Sequence, residues 1–434
     1  MSRFVSKQDV AIKQAIKEAV AEGFNEQTDF LSDFVRIPSL RFQEGPAQDF
    51  MADALRQRDF MVDDWRIFLS DLEQLPGFGP IEGDFSRART VVGEKYPSQT
   101  KGKSLILQGH LDVVPTGPQE MWTHSPFDPI IKDGWMYGRG AGDMKSGTVA
   151  ALFALDAINR AGFEPAGRIC FQSVIEEEST GVGALSTLQR GYKADCVLIP
   201  EPSDHALVTA QLGVIWFKIC VRGKPVHVAK ASTGSNAILA AYDIISALTA
   251  LEAKWNNLAI ADERFSQVEH PLNLNIGKIV GGDWASSLPA WCDIDCRIGI
   301  LPGVDVDNAK QEIEACISDA SHKHSFLSNS QPDVIWNGFQ AEGWTLKNAD
   351  LEKEIFSAAY QDVFGNKGPV EVSFTGLTDT RFYGLYRGIP SLCFGPIAEN
   401  IHGFDERVDL GSVQQCTETI ALFIAEWCGL NRLV

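Results

Sequence analysis

The sequence predicts an α/β protein: a mixed, largely parallel sheet with flanking helices, interrupted by an inserted α+β domain. Three observations carry this expectation. Short apolar runs at 104–108, 168–175 and 196–200 alternate with helical patterns, which implies parallel strands covered by helices. Each of these runs breaks off into His, Asp or Glu residues. From about residue 213 the order becomes β-α-β-β-α-β, the ferredoxin-like arrangement.

The elements follow in chain order. Residues 8–36 carry helical apolar spacing (Ile12, Ile16, Val20, Phe30, Phe34), and Pro38 stops the pattern. A second helix is expected at 46–58, opened by Pro46. Residues 67–103 mix Pro, Gly, Ser and charge around short apolar pieces and read as a long, loop-rich insertion. Strand 104–108 follows, then a glycine-rich turn, 138–147, leading into a helix over 145–160 with Gly162 beyond its end. Strand 168–175, a helix at 181–190 and strand 196–200 complete the first part. The second pattern comprises strand 214–222, helix 234–254, strands 273–280 and 290–299, helix 305–320 and strand 332–337. A helix at 349–363, a glycine turn at 375–379, strand 390–394 and a helix at 411–427 resume the first domain. The expected division is therefore 1–212 and 338–434 for one domain, with 213–337 inserted.

Bulk properties exclude several classes. At 434 residues the chain can bury two or three real cores. A net charge of −19 argues against nucleic acid or an anionic membrane as partner. The N-terminal stretch lacks the apolar core of a signal peptide, and no apolar run approaches a membrane span. The nine cysteines are scattered without zinc-ribbon spacing, which fits reduced thiols in the cytoplasm.

Chemistry collects at the strand ends, where open α/β sheets bind ligands. His110 and Asp112 follow strand 104–108 and face the same side of extended backbone. Glu176, Glu177 and Glu178 follow strand 168–175, and Glu201 follows strand 196–200. Asp143 lies in the glycine turn, and His402 in the loop after strand 390–394. Carboxylates crowded together repel one another, and a divalent cation relieves the repulsion. Mixed His, Asp and Glu ligands suit zinc and tolerate cobalt or manganese. Two such ions need a shared ligand, for which Asp143 is the natural candidate.

The segments GHLDVVP, GRGAGDMKSG, EEES, EPSD and the late His402 resemble the M20 metallopeptidase/amidohydrolase family. Acetylornithine deacetylases, succinyl-diaminopimelate desuccinylases, aminoacylases and glutamate carboxypeptidases belong to it. The resemblance runs over essentially the whole chain. It implies a zinc-peptidase-like catalytic domain and a lid/dimerisation domain formed by the insert. It further implies two divalent metal ions, zinc in the first instance, held by His110, Asp143, Glu178, Glu201 and His402. Asp143 would bridge them and form a cis bond to Met144. Asp112 would orient His110, and Glu177 would be the general base. His227, in GKPVHVAKASTGSNAI, resembles the lid histidine that stabilises the oxyanion, often from the second subunit of a dimer. Arg297, in CDIDCRIGILPG, resembles the arginine that grips a substrate carboxylate; an ion pair with Asp293 or Asp295 is the ordinary alternative. Arg381 is a further substrate-side candidate. His124, His205, His270, His322 and His324 find no role.

The expected function is hydrolysis of the amide of an N-acyl amino acid or related small compound, in the manner of an acetylornithine deacetylase. A di- or carboxypeptidase on the same site is the alternative, and a non-catalytic small-molecule binding protein a more distant one. A homodimer joined through the lid is implied by the resemblance.

Overall fold

The computed structural model describes residues 7–365 and 367–433. The first six residues, part of the N-terminal stretch read above, lie outside the described residues. Among the described residues, no helix is long and apolar enough to cross a membrane.

A nine-stranded mixed sheet forms the centre. Its parallel core is Ile169–Val174, Leu105–His110, Cys196–Ile199 and Ser391–Cys393, in that spatial order. The three longer members are buried along their whole length, so their apolar residues come in succession rather than alternating, with Gln108, Gln172 and Ser173 buried beside them. Antiparallel strands flank this core. Arg89–Lys95 and Met61–Arg66 extend one side, and Leu207–Gln211 and Trp344–Thr345 the other. Glu371–Phe374 pairs parallel to Leu207–Gln211. The stretch 67–103 is therefore not wholly loop. Thr90, Val91, Val92 and Gly93 bury themselves in a strand that the surrounding Pro, Gly and charge had masked.

Helices Lys7–Val35, Ser146–Arg160 and Leu410–Cys428 pack on one another, and Val182–Gln189 packs on Thr380–Arg387. One apolar core joins them to the sheet through residues such as Phe34, Leu107, Leu152, Phe171 and Phe423. Helix Ser146–Arg160 comes unusually close to the strand ends. A Cβ at Gly109 would lie 2.1 Å from Thr148 Oγ1, and one at Gly147 1.8 Å from the Pro200 carbonyl oxygen. Only glycine permits that approach.

A second, four-stranded antiparallel sheet has the order Leu274–Gly281, Trp291–Ile300, Gly213–Arg222, Asp333–Ala341. Helices Ala237–Ala259 and Val306–Lys323 pack together beside it. Ile215, Phe217, Ile219, Ile294 and Ile298 meet Ala241, Ile244, Leu248 and Ile313 in a core of their own. Strands and helices in this chain order and spatial order are ferredoxin-like. All nine cysteines are free thiols, and eight are buried.

Candidate metal centre

The parallel strands deliver their C-terminal ends to one place. His110 is the last residue of Leu105–His110. Glu177 and Glu178 follow Ile169–Val174, and Glu201 follows Cys196–Ile199. Asp143 sits in the turn before helix Ser146–Arg160, where the Asp143–Met144 peptide is cis. His402 comes from the loop between Ala398–Glu399 and Arg407–Asp409.

Asp143 lies between the two histidines. Its Oδ1 is 3.1 Å from His110 Nε2 and its Oδ2 is 3.3 Å from His402 Nε2. On the first side, Glu201 Oε2 is 3.7 Å and Glu177 Oε2 3.8 Å from His110 Nε2. On the second, Glu178 Oε2 is 3.0 Å from His402 Nε2. His110, Glu177 and Glu201 offer ligand atoms within 4.8 Å of one another, and so do His110, Asp143 and Glu178. Glu201 Oε1 is buried without a hydrogen-bond partner among the described residues. An orphaned carboxylate oxygen beside a fully buried imidazole is what a cation-binding pocket provides, so the residues fit divalent metal.

The electrostatics point the same way. Burial pushes the Glu177 carboxyl well above the usual range, against the pull of His110 and with the push of Glu201. Burial likewise raises Glu201 to about 7. Burial disfavours the charged form of both histidines, yet the surrounding carboxylates win. His110 is raised well above its ordinary value by Glu201, Asp143 and Glu177, and His402 is raised to about 11 by Glu178 and Asp143. Burial raises Asp143, but the two imidazoles overcome it and hold this carboxyl below its ordinary value. The crowded carboxylates therefore draw protons into the pocket, and a cation would take the place of those protons.

The three consecutive glutamates separate cleanly. Glu176, at φ 64°, turns away from the pocket. Arg41 Nε and Nη2 donate to its two oxygens at 2.5 and 2.9 Å, and Thr180 Oγ1 donates at 3.0 Å. Glu177 faces His110, and Glu178 faces His402. Asp112 supports both the ring and the loop. His110 Nδ1 is 3.0 Å from the Asp112 backbone carbonyl and 3.6 Å from its carboxylate Oδ1. The carboxylate accepts the backbone N–H groups of Glu177 and Glu178 at 3.3 and 3.2 Å. Asp112 thus also fixes the loop that carries the two glutamates.

A cavity of about 650 Å³ opens in front of this cluster. Arg297 lines it from the second sheet, with Trp216, Asn273 and Asn275. Trp216 and Asn275 are its cross-strand neighbours. Arg297 does not pair with Asp293, which takes Arg222 at 2.6 Å. Burial alone lowers the Arg297 pKa, with no carboxylate countering it. His227 lies elsewhere, in an exposed segment, where its Nδ1 accepts the Ala229 N–H at 3.1 Å. Arg381 does not line the cavity. It is buried behind Gly181, and its Nη2 donates to the Thr180 carbonyl at 2.9 Å. Its sequence position in a glycine turn suggested access that helix Thr380–Arg387 removes. Arg139, within GRGAGDMKSG, and Glu406, in the segment GFDERVDL after His402, have no role assigned from the sequence. Both are 1% exposed, and Glu406 touches the turn that carries Asp143. The spacing His402-x-x-x-Glu406 was the only available signal.

Comparison with known proteins places this arrangement. The model of peptidase family M20/M25/M40 matches residues 106–426. N-formyl-4-amino-5-aminomethyl-2-methylpyrimidine deformylase of Bacillus subtilis is 28% identical over 449 residues, spanning 99% of this chain and 100% of that protein. Succinyl-diaminopimelate desuccinylase of Stenotrophomonas maltophilia is 27% identical over 89% of this chain and 95% of its own. Among solved structures, the di-peptidase Dug1p from Saccharomyces cerevisiae superposes with a TM-score of 0.79 at 16% identity, over 96% of this chain and 98% of that one. Human carnosine dipeptidase 1 gives 0.77 at 16% identity, over 96% and 99%. The chain belongs to peptidase family M20/M25/M40 and is a hydrolase of that family.

Proposed function

We propose that this protein hydrolyses the amide bond of an N-acyl amino acid or a related small compound, using two divalent ions, zinc in the first instance. The observation that carries the reading is the division of Asp143, one oxygen toward His110 and the other toward His402. One carboxylate facing two ligand sets is suited to bridge two ions. His110 and Glu201 would hold the first, and Glu178 and His402 the second. Relatives named for removing formyl and succinyl groups support an acyl-nitrogen bond as the target.

When bound, the ions polarise the substrate carbonyl and acidify the attacking water. The chain's own residues do the rest. Glu177 takes a proton from the water as its oxygen bonds to the carbonyl carbon. The same carboxyl then gives that proton to the nitrogen as the carbon–nitrogen bond breaks. Glu177 also lies near His110 and Glu201, so its role as base rests on the register of the glutamate motif. Arg297 would pair with a substrate carboxylate, a task for which its unpaired guanidinium is suited.

The insert 213–337 would act as lid and dimerisation domain. Leu239, Tyr242, Ile279, Val280 and Trp284 are exposed on it, and they would be covered by a second copy. His227, remote from its own cavity, would serve the partner's. Nine unpaired thiols support a reducing, cytoplasmic setting.

Glu177→Gln tests the reading. It should keep its metal content, measured by plasma emission, and lose about 100- to 10,000-fold in turnover on N-acyl amino acids. Retained turnover would move the base elsewhere. A metal-loaded wild type that cleaved neither N-acyl amino acids nor dipeptides would leave only a binding role.

A further inference from the structure

His402 is the least supported member of the cluster. The other donors follow strands of the central sheet or precede a buried helix. His402 stands on a loop with its side chain 53% exposed and its backbone at φ 62°. Something must hold that loop against Asp143.

The Arg139–Glu406 pair is built to do so. Both side chains are buried, and Arg139 Nη1 pairs with Glu406 Oε2. The other carboxylate oxygen, Oε1, accepts three backbone N–H groups from the turn: Gly140 at 3.0 Å, Gly142 at 2.9 Å and Asp143 at 3.0 Å. The second arm of the arginine, Nη2, donates to the carbonyl of Gly403 at 3.0 Å, the residue next to His402. The Gly138 N–H closes the ring by donating to the Glu406 carbonyl at 2.9 Å. Trp122 lies against the guanidinium, 5.2 Å from its ring centroid. One ion pair therefore grips the Asp143 turn with one partner and the His402 loop with both. Charge-assisted bonds of this kind are short and directional.

We infer that Arg139 and Glu406 are positioning residues that set His402 against Asp143, so that the half of the pocket formed by His402 and Glu178 depends on their pairing. The inference rests on the two-ion reading above. It differs from a general stabilising role, because His110 and Glu201 hang from the sheet and that half shares only Asp143 with the clamped segments.

Cobalt titration of chelator-treated protein tests it, read by calorimetry and by the visible absorption of each bound ion. Two variants are used, Glu406→Asp and Arg139→Lys. Each keeps its charge but shortens or reshapes the contact. In wild type, two binding steps are expected. In each variant the tighter step should shift less than about threefold, while the weaker one loses about 10- to 100-fold in affinity. Turnover at saturating substrate should fall with little change in KM. Folded variants that bind both ions as wild type does would overturn the clamp. So would equal weakening of both steps in proportion to a lowered Tm, which marks a purely structural pair. If Glu406→Asp fails to fold, Arg139→Lys decides alone, since lysine retains the charge and the packing on Trp122. A wild type that binds no ion removes the two-ion reading and the clamp together. A wild type that binds two ions beside unaffected variants removes only the clamp.

Discussion

Glu44 carries a pH signature outside the metal pocket. It is 4% exposed, its Oε1 accepts the Phe42 N–H at 2.9 Å, and burial pushes its pKa up to about 7. The folded state therefore holds a proton that the unfolded chain releases near the ordinary value of 4.5. Stability from this group is full below that value and is lost as pH rises through 7. Glu44→Gln keeps the acceptor oxygen and cannot ionise. Relative to wild type it should gain about 3 kcal/mol of stability between pH 4.5 and 8, measured by urea unfolding. A difference that stays flat with pH would show that Glu44 is ionised in the fold. At this scale the sequence was legible wherever a residue sat in a motif at a strand end, as His110, Asp143 and Glu201 do. It assigned no role to Glu406, Arg139 or Arg41. Their importance comes from partners far along the chain, and no local pattern encodes such a contact. The direction of Glu176 was equally hidden, because three identical side chains in a row differ only once Arg41 claims one of them.

The helix Ser146–Arg160 is the element on which the pocket leans. Its first turn follows Asp143 directly, and Gly147 lets it meet the Pro200 carbonyl at the end of Cys196–Ile199. A methyl group at this point would collide with backbone, which cannot rotate away. Gly147→Ala should therefore cost at least about 2 kcal/mol in denaturant unfolding, despite alanine's better helix propensity. An unchanged midpoint would mean that the helix slides freely. The strands Leu105–His110 and Ile169–Val174 were legible because unbroken apolar runs fit a sheet covered on both faces. Arg89–Lys95 was not. Its buried Thr90–Gly93 segment is short, and Arg and Lys at its ends gave it the look of a loop.

At the scale of the molecule, the proposed pairing of two chains would cover the exposed apolar residues of the second sheet and its long helix. Glu177→Gln and His227→Ala give a direct test. Each variant alone should be nearly inactive. Mixed in equal amounts and allowed to exchange, half the dimers are heterodimers with one complete site, and activity should return to about a quarter of wild type. No recovery, with exchange verified by mass spectrometry, would confine His227 to its own chain. The β-α-β-β-α-β order was readable from sequence because hydrophobic periodicity switches between 2 and 3.6 at each boundary. Leu207–Gln211 and Glu371–Phe374 were not, since both are short and their pairing comes from segments far along the chain: they run parallel to each other, and Leu207–Gln211 also pairs antiparallel to Trp344–Thr345 and Ser391–Cys393.

The placement of Ser391–Cys393 between Cys196–Ile199 and Leu207–Gln211 has a consequence for synthesis. On the ribosome the second sheet can close as soon as residue 341 has emerged, because all of its strands lie between 213 and 341. The central sheet cannot. It carries an unfilled gap until residues 391–393 arrive, and its donor set lacks His402 until slightly later. Nascent or truncated chains thus present unpaired strand edges for chaperones to guard, and cleavage activity arises only after His402 has emerged.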